Sequence, residues 1–179
     1  MSDVFNNYTN YHWQRRTELL PTILDRTQGS IISGPFTGMK ILPKWNWGDG
    51  DTPGKLLGLY ENELFPALEK EIARNPQCIL NVGCAEGYYG LGMAKCLPKS
   101  VSVCIDIDAK SVGIARENAR ANSINNVQFL TDSSVDVLNS YIDRYNSTFI
   151  VMDVEGAERM LLDPETLHLD NVNILVEVH

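Results

Sequence analysis

Two apolar runs in the second half of the chain end in side chains that can do chemistry. Asp153 and Glu155 close one run, and Glu177 and His179 close the other. Side chains alternate along a strand, so each pair shares a face. If the two strands are parallel neighbours, these groups meet at the strands' carboxyl ends, where they can serve as a general base or bind a hard cation. The alternatives are that Asp153 caps the helix after Gly156 and that His179 is a frayed terminus.

A second candidate site is a glycine-rich turn. The apolar run Cys78–Val82 leads straight into the pattern Gly83-x-Ala85-x-Gly87-x-x-Gly90, and a helix is predicted to follow. Small residues permit a tight turn and let a ligand lie against the backbone, and a helix N-terminus supplies free N–H groups. In this strand–turn–helix context the pattern favours a nucleotide-like cofactor over a plain turn.

Acidic residues end the next two predicted strands. Asp106 lies 23 positions after Gly83 and can accept hydrogen bonds from both hydroxyls of a ribose. Asp108 is better explained as the N-cap of the helix that follows it, although the two roles are exchangeable within the error of the predicted boundaries. Asp132 could reach an adenine ring, or equally could cap the helix that starts near Val135.

Strand-like and helical segments alternate after residue 76. The apolar runs are short and rich in β-branched residues, as in buried parallel strands. The alternation predicts βαβ units in an α/β fold, here a Rossmann-like, open, mainly parallel sheet with helices on both faces and strand order 3-2-1-4-5. The predicted strands are Cys78–Val82, Ser100–Ile105, Val127–Thr131, Thr148–Val154 and Asn173–Val178, and the helices are Tyr88–Leu97, Ala109–Asn122, Val135–Tyr141 and Ala157–Leu162.

Residues 1–76 differ from the rest and hold every tryptophan. We predict that they form an N-terminal appendage of helices and loops, ahead of a cofactor-binding domain at 77–179. Helices are predicted over Tyr11–Asp25, where Pro21 is expected to break or kink the helix, and over Tyr60–Arg74.

The glycine-rich segment 29–65 within the appendage is a candidate lid. Short strands are predicted around Ser30–Ser33 and Met39–Leu42. The alternative to a lid is that its aromatic side chains pack the appendage against the sheet. The aromatics that a lid would bring to the substrate are Trp45, Trp47 and Tyr60.

Composition excludes several classes of protein. The chain has 179 residues, a net charge of -8 and a mean hydropathy of -0.17. No basic stripe could follow a phosphate backbone, and no run approaches the roughly 20 apolar residues of a membrane span. The N-terminus lacks the features of a leader, and the spacing of the four cysteines matches no zinc motif. We predict a cytoplasmic protein that binds neither nucleic acid nor membrane and holds no metal.

These motifs resemble those of the class I S-adenosylmethionine-dependent methyltransferases, and within that class the FkbM type. The acidic segments after the last two predicted strands are the more specific part of the likeness. It covers roughly residues 31–179. The segments that carry it are Asn81–Gly90, Asp106, Asp153–Glu158 and Glu177–His179, with the lead-in segments Gly34–Met39 and Gly58–Leu64.

The resemblance implies S-adenosylmethionine as the cofactor. FkbM-type enzymes are associated with O-methylation, so it also implies that the acceptor is a hydroxyl on a small molecule or sugar. Gly83, Ala85 and Gly87 would line the methionine and ribose, Asp106 would bind the ribose, Asp132 would contact adenine, and Asp153 would lie beside the methyl donor. Further cofactor contacts are assigned to Asn81, Glu86, Tyr88, Ile107 and Ser133, and the catalytic candidates are Asp153, Glu155 and His179.

Two features depart from the family pattern. Position 81 is Asn where the wider motif has an acidic residue, although Asn can still hydrogen-bond a water or the amino group of the donor. The family's sheet usually closes with an antiparallel pair of strands, which is missing after the fifth predicted strand. An exposed edge strand leaves unpaired backbone N–H and C=O groups that can pair with another chain. The hypotheses are a C-terminally shortened chain or a second subunit, as in a homo-oligomer, that covers the strand 5 edge.

The expected chemistry is direct displacement, in which an acceptor oxygen attacks the sulfonium methyl group. Holding both reactants at near-attack distance is worth roughly 7–11 kcal/mol. One rival is an NAD-dependent oxidoreductase, because the glycine turn and Asp106 also fit a dinucleotide fingerprint, but no second mononucleotide-binding half follows. The other rival is a non-catalytic or truncated S-adenosylmethionine-binding protein.

Overall fold

The core of the fold is a five-stranded parallel sheet. The structure, a computed structural model, describes residues 2–44 and 51–179, with side chains for residue 11 and from residue 14 onward within those ranges. The strand order is β3-β2-β1-β4-β5, as predicted. The strands are β1 (Cys78–Val82), β2 (Val101–Ile105), β3 (Val127–Leu130), β4 (Thr148–Met152) and β5 (Val172–Val176).

Helices connect the strands and precede the sheet. A single turn of 3₁₀ helix, Asn62–Leu64, leads into the third helix. The helices are α1 (Ser2–Thr27), α2 (Thr52–Leu57), α3 (Phe65–Arg74), α4 (Tyr88–Cys96), α5 (Ala109–Ala121), α6 (Val135–Ile142) and α7 (Glu158–Leu161).

Strand β1 lies at the centre of the sheet, paired with β2 on one side and β4 on the other. All five of its residues are buried. Ile79 belongs to the apolar core on one face of the sheet, and its neighbour Leu80 belongs to the core on the other face. Two buried faces explain why this strand reads as a continuous apolar run rather than an alternating one. The loop after β1 therefore follows a fully buried strand at the centre of the sheet.

The N-terminal segment packs into the core on one face of the sheet. Ile31, Phe36, Met39 and Leu56 share a buried cluster with Ile79. This contact agrees with the packing alternative for the segment. Trp45 and Trp47, named in the lid hypothesis, lie outside the described residues.

Several predicted boundaries in this segment were wrong. Helix α1 runs through Pro21 to Thr27 instead of ending at Asp25. The two short strands reduce to one antiparallel bridge between Ser30 and Lys40, because turns fill the residues between them. The helix predicted from Tyr60 starts at Phe65, since Glu61 has a left-handed backbone with φ of 44°.

Both strands that carry the acidic motifs end earlier than predicted. Strand β4 ends at Met152 and β5 at Val176, so Asp153, Glu155, Glu177 and His179 lie beyond the ends of the strands. Glu155 has a φ of 52°, which no strand allows. Strand alternation is therefore not what brings these side chains together.

None of the described helices has the length and apolar character needed to cross a membrane. The four cysteines are all free, and three of them are buried.

Candidate active site at the strand ends

The turn after β1 fits closely against the end of β4. Gly83 and Gly87 have φ of 76° and 90°, in the region that favours glycine. A Cβ atom at Gly83 would lie 1.6 Å from the carbonyl oxygen of Asp153. The first glycine of the motif is therefore required by contact between two strand ends, and the backbone of the turn lies directly beside Asp153.

Asp106 holds this turn from the neighbouring strand. The backbone N–H of Ala85 donates to Asp106 Oδ2 at 2.9 Å, and the N–H of Asp108 donates to Oδ1 at 2.9 Å. Each carboxylate oxygen keeps a second lone pair, which could accept a ribose hydroxyl. Asp108 caps α5 by accepting from the N–H of Lys110 at 3.0 Å. The cap interpretation of Asp108 is confirmed.

Two other predicted cofactor residues lie at the exposed rim beyond Asp106. The Ile107 side chain is 81% exposed, an apolar surface next to the carboxylate that would hold the ribose. Asp132 is exposed and accepts a hydrogen bond from the backbone N–H of Ser134 at 2.9 Å. That bond lowers the pKa of Asp132. The observed contact is the one expected of a residue that precedes a helix, and Ser133 beside it is half-buried.

Three predicted cofactor residues have their side chains in the interior. Asn81 is only 2% exposed, and its Oδ1 accepts a hydrogen bond from the N–H of Gly90 at 2.9 Å. Tyr88 is 4% exposed. Glu86 forms a buried ion pair with Lys55. The contacts described for these side chains are with other residues of the fold.

Lys55 was not predicted to lie near the site. Its Nζ lies 4.5 Å from the centre of the Tyr60 ring and 5.6 Å from that of Tyr88. The side chains of Lys55 and Glu86 are each 8% exposed. Rings and carboxylate together compensate the charge of a buried ammonium group. The pair joins α2 to the glycine-rich turn over 31 positions of sequence, so no local pattern could reveal it.

The acidic side chains after β4 and β5 surround one imidazole. His179 Nδ1 lies 3.9 Å from Asp153 Oδ1, and Nε2 lies 3.6 Å from Glu155 Oε2 and 3.7 Å from Glu177 Oε1. The structure thus brings together the three predicted catalytic candidates and Glu177.

Glu158 anchors that imidazole. His179 Nδ1 lies 3.1 Å from Glu158 Oε1, which also accepts the backbone N–H of Gly156 at 3.1 Å. The Gly156 bond is the main cause that lowers the pKa of Glu158 to about 2. The hydrogen bond to Glu158 in turn raises the pKa of His179. The His179 ring therefore tends to carry a positive charge among the carboxylates.

Asp153 is the unusual carboxylate of this group. Its Oδ1 is buried and has no hydrogen-bond partner among the described residues. Burial, followed by the charges of Glu177 and Glu155, raises the pKa of Asp153 to about 6. A carboxylate with a pKa near the working pH suits a general base.

A cavity of about 250 Å³ opens beside Asp153. Glu61, Glu63 and Leu64 form the wall that comes from the N-terminal segment, and the strand ends form the floor. Tyr89 also lines it and donates its hydroxyl to Glu61. Sequence reasoning missed Glu61, Glu63 and Tyr89, since their facing positions depend on how the N-terminal segment docks.

Part of the acidic group has a spacing that a cation could use. One ligand atom from each of Asp153, Glu177 and His179 lies within 4.8 Å of the other two. The prediction that no metal is held stays untested.

The comparisons with known proteins concern the same region. Residues 76–158 match a family model described as a methyltransferase domain. This segment, which holds the first four strands of the sheet, is thus similar to methyltransferase domains. No curated protein sequence matches the chain. Asp106 has free lone pairs beside the glycine turn that could accept the ribose hydroxyls of S-adenosylmethionine, and the exposed Ile107 next to it offers apolar surface to an adenine.

The solved structures that match part of this chain include methyltransferases. The structure of the methyltransferase PaMTH1 from Podospora anserina, bound to SAH (S-adenosylhomocysteine), is 20% identical with a TM-score of 0.49, over 69% of this chain and 52% of that one. An O-methyltransferase from Bacillus cereus in complex with SAH is 20% identical with a TM-score of 0.44, over 55% of this chain and 47% of that one. The chain thus spans about half the length of each.

Proposed function

We propose that this protein is an S-adenosylmethionine-dependent O-methyltransferase of the FkbM type, acting on a hydroxyl group of a small molecule or sugar. The observation that carries the proposal is the position of Asp153. Asp153 lines the cavity with a carboxylate whose pKa is raised to about 6, and its backbone carbonyl contacts the glycine turn. The match of residues 76–158 to a methyltransferase domain supports the cofactor.

The cofactor would lie along the carboxyl ends of β1, β2 and β3. Asp106 would accept the ribose hydroxyls with the lone pairs that the Ala85 and Asp108 hydrogen bonds leave free. Ile107 would offer apolar surface to the adenine, and the backbone of Gly83, Ala85 and Gly87 would line the methionine. Glu86 and Asn81 act indirectly, because their side chains hold the turn and α4 in place.

When bound, S-adenosylmethionine supplies an electrophilic methyl group on a sulfonium. Asp153 takes the proton from the acceptor hydroxyl. His179, which is hydrogen-bonded to Glu158, lies 3.9 Å from Asp153 and favours its ionised form. Glu155 is 78% exposed at the rim, so its contribution is electrostatic rather than direct contact. Apolar residues of the cavity floor exclude water from the acceptor side.

Calorimetric titration with S-adenosylhomocysteine tests the cofactor part of the proposal, with NAD as the control ligand. We expect saturable binding that Asp106→Ala weakens by about 1–3 kcal/mol, the scale of an unpaired buried polar partner. Binding of NAD without binding of S-adenosylhomocysteine would contradict the proposal and favour an oxidoreductase.

Methyl transfer from labelled S-adenosylmethionine to a panel of hydroxyl compounds tests the reaction. Asp153→Asn should reduce transfer by about 10²-fold or more, in the range of general base catalysis, while binding of S-adenosylhomocysteine persists. Loss of binding and transfer together would assign Asp153 to the cofactor site instead.

A further inference from the structure

The glycine-rich turn after β1 contains a strained residue. Ala85 has a φ of 45°, in the left-handed region that residues with a side chain rarely adopt, whereas Gly83 and Gly87 on either side of it reach positive φ without strain. A strained backbone of this kind persists only where the surrounding contacts hold it. The contacts around Ala85 therefore decide how well the turn is shaped before a ligand arrives.

The residue after Ala85 is held at both of its ends. The side chain of Glu86 pairs with Lys55 Nζ, with each side chain only 8% exposed, and its backbone carbonyl oxygen accepts a hydrogen bond from Asn118 Nδ2 at 2.9 Å. Ahead of it, the N–H of Ala85 donates to Asp106. Asp106 and Asn118 follow β2 and lie in α5, but Lys55 comes from α2 in the N-terminal segment.

Resting on the proposed function, we propose that Lys55 is a positioning residue for the methyl donor: it holds Glu86, and through Glu86 it keeps Ala85 in the strained shape that the donor binds. A turn that already has its bound shape needs less ordering when the ligand arrives, and this preorganisation raises affinity. Lys55 thus contributes to donor binding without contacting the donor, and the N-terminal segment takes part in the cofactor site.

Lys55 is itself fixed by two aromatic rings. Its Nζ lies 4.5 Å from the centre of the Tyr60 ring and 5.6 Å from that of the Tyr88 ring. The two rings meet edge to face, with their centres 5.4 Å apart. Tyr88 begins α4 directly after the turn. A buried ammonium group between rings and a carboxylate keeps little rotational freedom, so the pair with Glu86 is a fixed connection to the turn.

The alternative is that the Lys55–Glu86 pair serves stability alone. Its removal would then lower the melting temperature and leave the donor affinity of the folded protein unchanged. The two roles separate when both side chains are made neutral. No buried charge is left without a partner, so the fold is recovered, but the turn around Ala85 is free to relax and must be ordered again by the donor.

Calorimetry with S-adenosylhomocysteine on the full chain tests the inference, at a temperature where melts show each variant to be folded. Lys55→Met/Glu86→Gln should bind about tenfold more weakly than the wild type, as expected for the strain of one residue. Leu138→Ala is the control, because Leu138 is buried in the core on the face of the sheet opposite to Tyr88. It should lower the melting temperature while the affinity stays within about twofold of wild type. Equal affinity in the double variant and the wild type overturns the inference.

Replacement of Ala85 by glycine provides a rescue test. Glycine adopts a φ of 45° without strain, so it does not need the hold that Lys55 provides. In an Ala85→Gly background, the change Lys55→Met/Glu86→Gln should therefore weaken binding only about threefold, against about tenfold in the presence of Ala85. A loss of the same size in both backgrounds would show that Lys55 does not act through Ala85, and would overturn the inference.

Amide hydrogen exchange in the ligand-free protein, followed by NMR, measures the turn without any donor. The N–H groups of Ala85 and Gly87 are both hydrogen-bonded. They should exchange about fivefold faster in Lys55→Met/Glu86→Gln than in Leu138→Ala. Equal exchange rates in these two variants count against the inference. Binding of S-adenosylhomocysteine to the wild type, measured first, tests the proposed function by itself, and if it is absent the exchange rates still decide whether Lys55 holds the turn.

Discussion

The carboxylate of Asp106 accepts the backbone N–H of Ala85 at 2.9 Å, which ties the end of β2 to the turn after β1. A residue predicted to bind a ribose thus also sets the shape of the turn that would cradle the methionine. Loss of its charge should therefore lower both the affinity for the ligand and the stability of the protein.

Asp106→Asn should weaken binding of S-adenosylhomocysteine by about tenfold or more, because the new amide NH₂ would face one of two backbone N–H donors. Calorimetry measures the affinity, and a thermal melt measures the accompanying loss of stability. Asp170→Asn, the same change at an exposed position, is the control. Unchanged affinity in Asp106→Asn would show that the carboxylate does not contact the ligand.

Asp153→Asn should raise the melting temperature above pH 6 and leave it nearly unchanged near pH 4. In the folded protein the pKa of Asp153 is about 6, above its ordinary value, so wild-type stability falls as the pH rises through that interval. Exposure of 40% of the side chain screens the effect to less than about 1 kcal/mol, at most about 2–4 °C.

Melts of wild type and Asp153→Asn at closely spaced pH values would measure that difference. The difference in melting temperature should grow up to about pH 6, because Asp153 ionises and Asn does not. Above that pH Asp153 is fully ionised, so the difference should stay constant. A constant difference at all pH values would mean that Asp153 has an ordinary pKa.

Lys55→Met should destabilise the protein by about 3–5 kcal/mol, because Glu86 would be left charged and buried. Lys55→Met/Glu86→Gln should recover most of that loss. Unfolding in urea measures both. Glu18→Gln, which breaks the exposed pair with Arg15, should change stability by less than about 1 kcal/mol. A double variant as unstable as the single one would refute the charge argument.

Replacement by alanine should have opposite effects on stability at two glycines. Gly83→Ala would place a Cβ against the carbonyl oxygen of Asp153 and should prevent the turn from forming. Gly113 in α5 has nothing within 4 Å of an added Cβ, so Gly113→Ala should stabilise the protein by about 0.5–1 kcal/mol. Urea unfolding and binding of S-adenosylhomocysteine report both effects. A Gly83→Ala protein that binds normally would contradict the close contact.

Local patterns were enough to predict the sheet. Cys78–Val82 matches β1 at both ends, because an apolar run stops at a glycine that no strand can continue through. Asp108 was assigned as a cap from its type and position, and its side chain accepts the N–H of Lys110.

Features that depend on how the N-terminal segment packs against the rest of the fold could not be predicted. Helix α2, Thr52–Leu57, contains a proline and a glycine and was missed. Lys55 owes its role to Glu86, which is distant in sequence. The wall at Glu61 and Glu63 likewise exists only once the N-terminal segment lies against β4 and β5.

The contact between Gly83 and the carbonyl of Asp153 has a consequence for how such a site can diversify. The turn proposed to bind the donor meets Asp153, the proposed base, through backbone rather than through replaceable side chains. The wall at 61–64 belongs to a separate segment. Under the proposed function, substitutions there would change acceptor choice while the contact between the turn and Asp153 is kept.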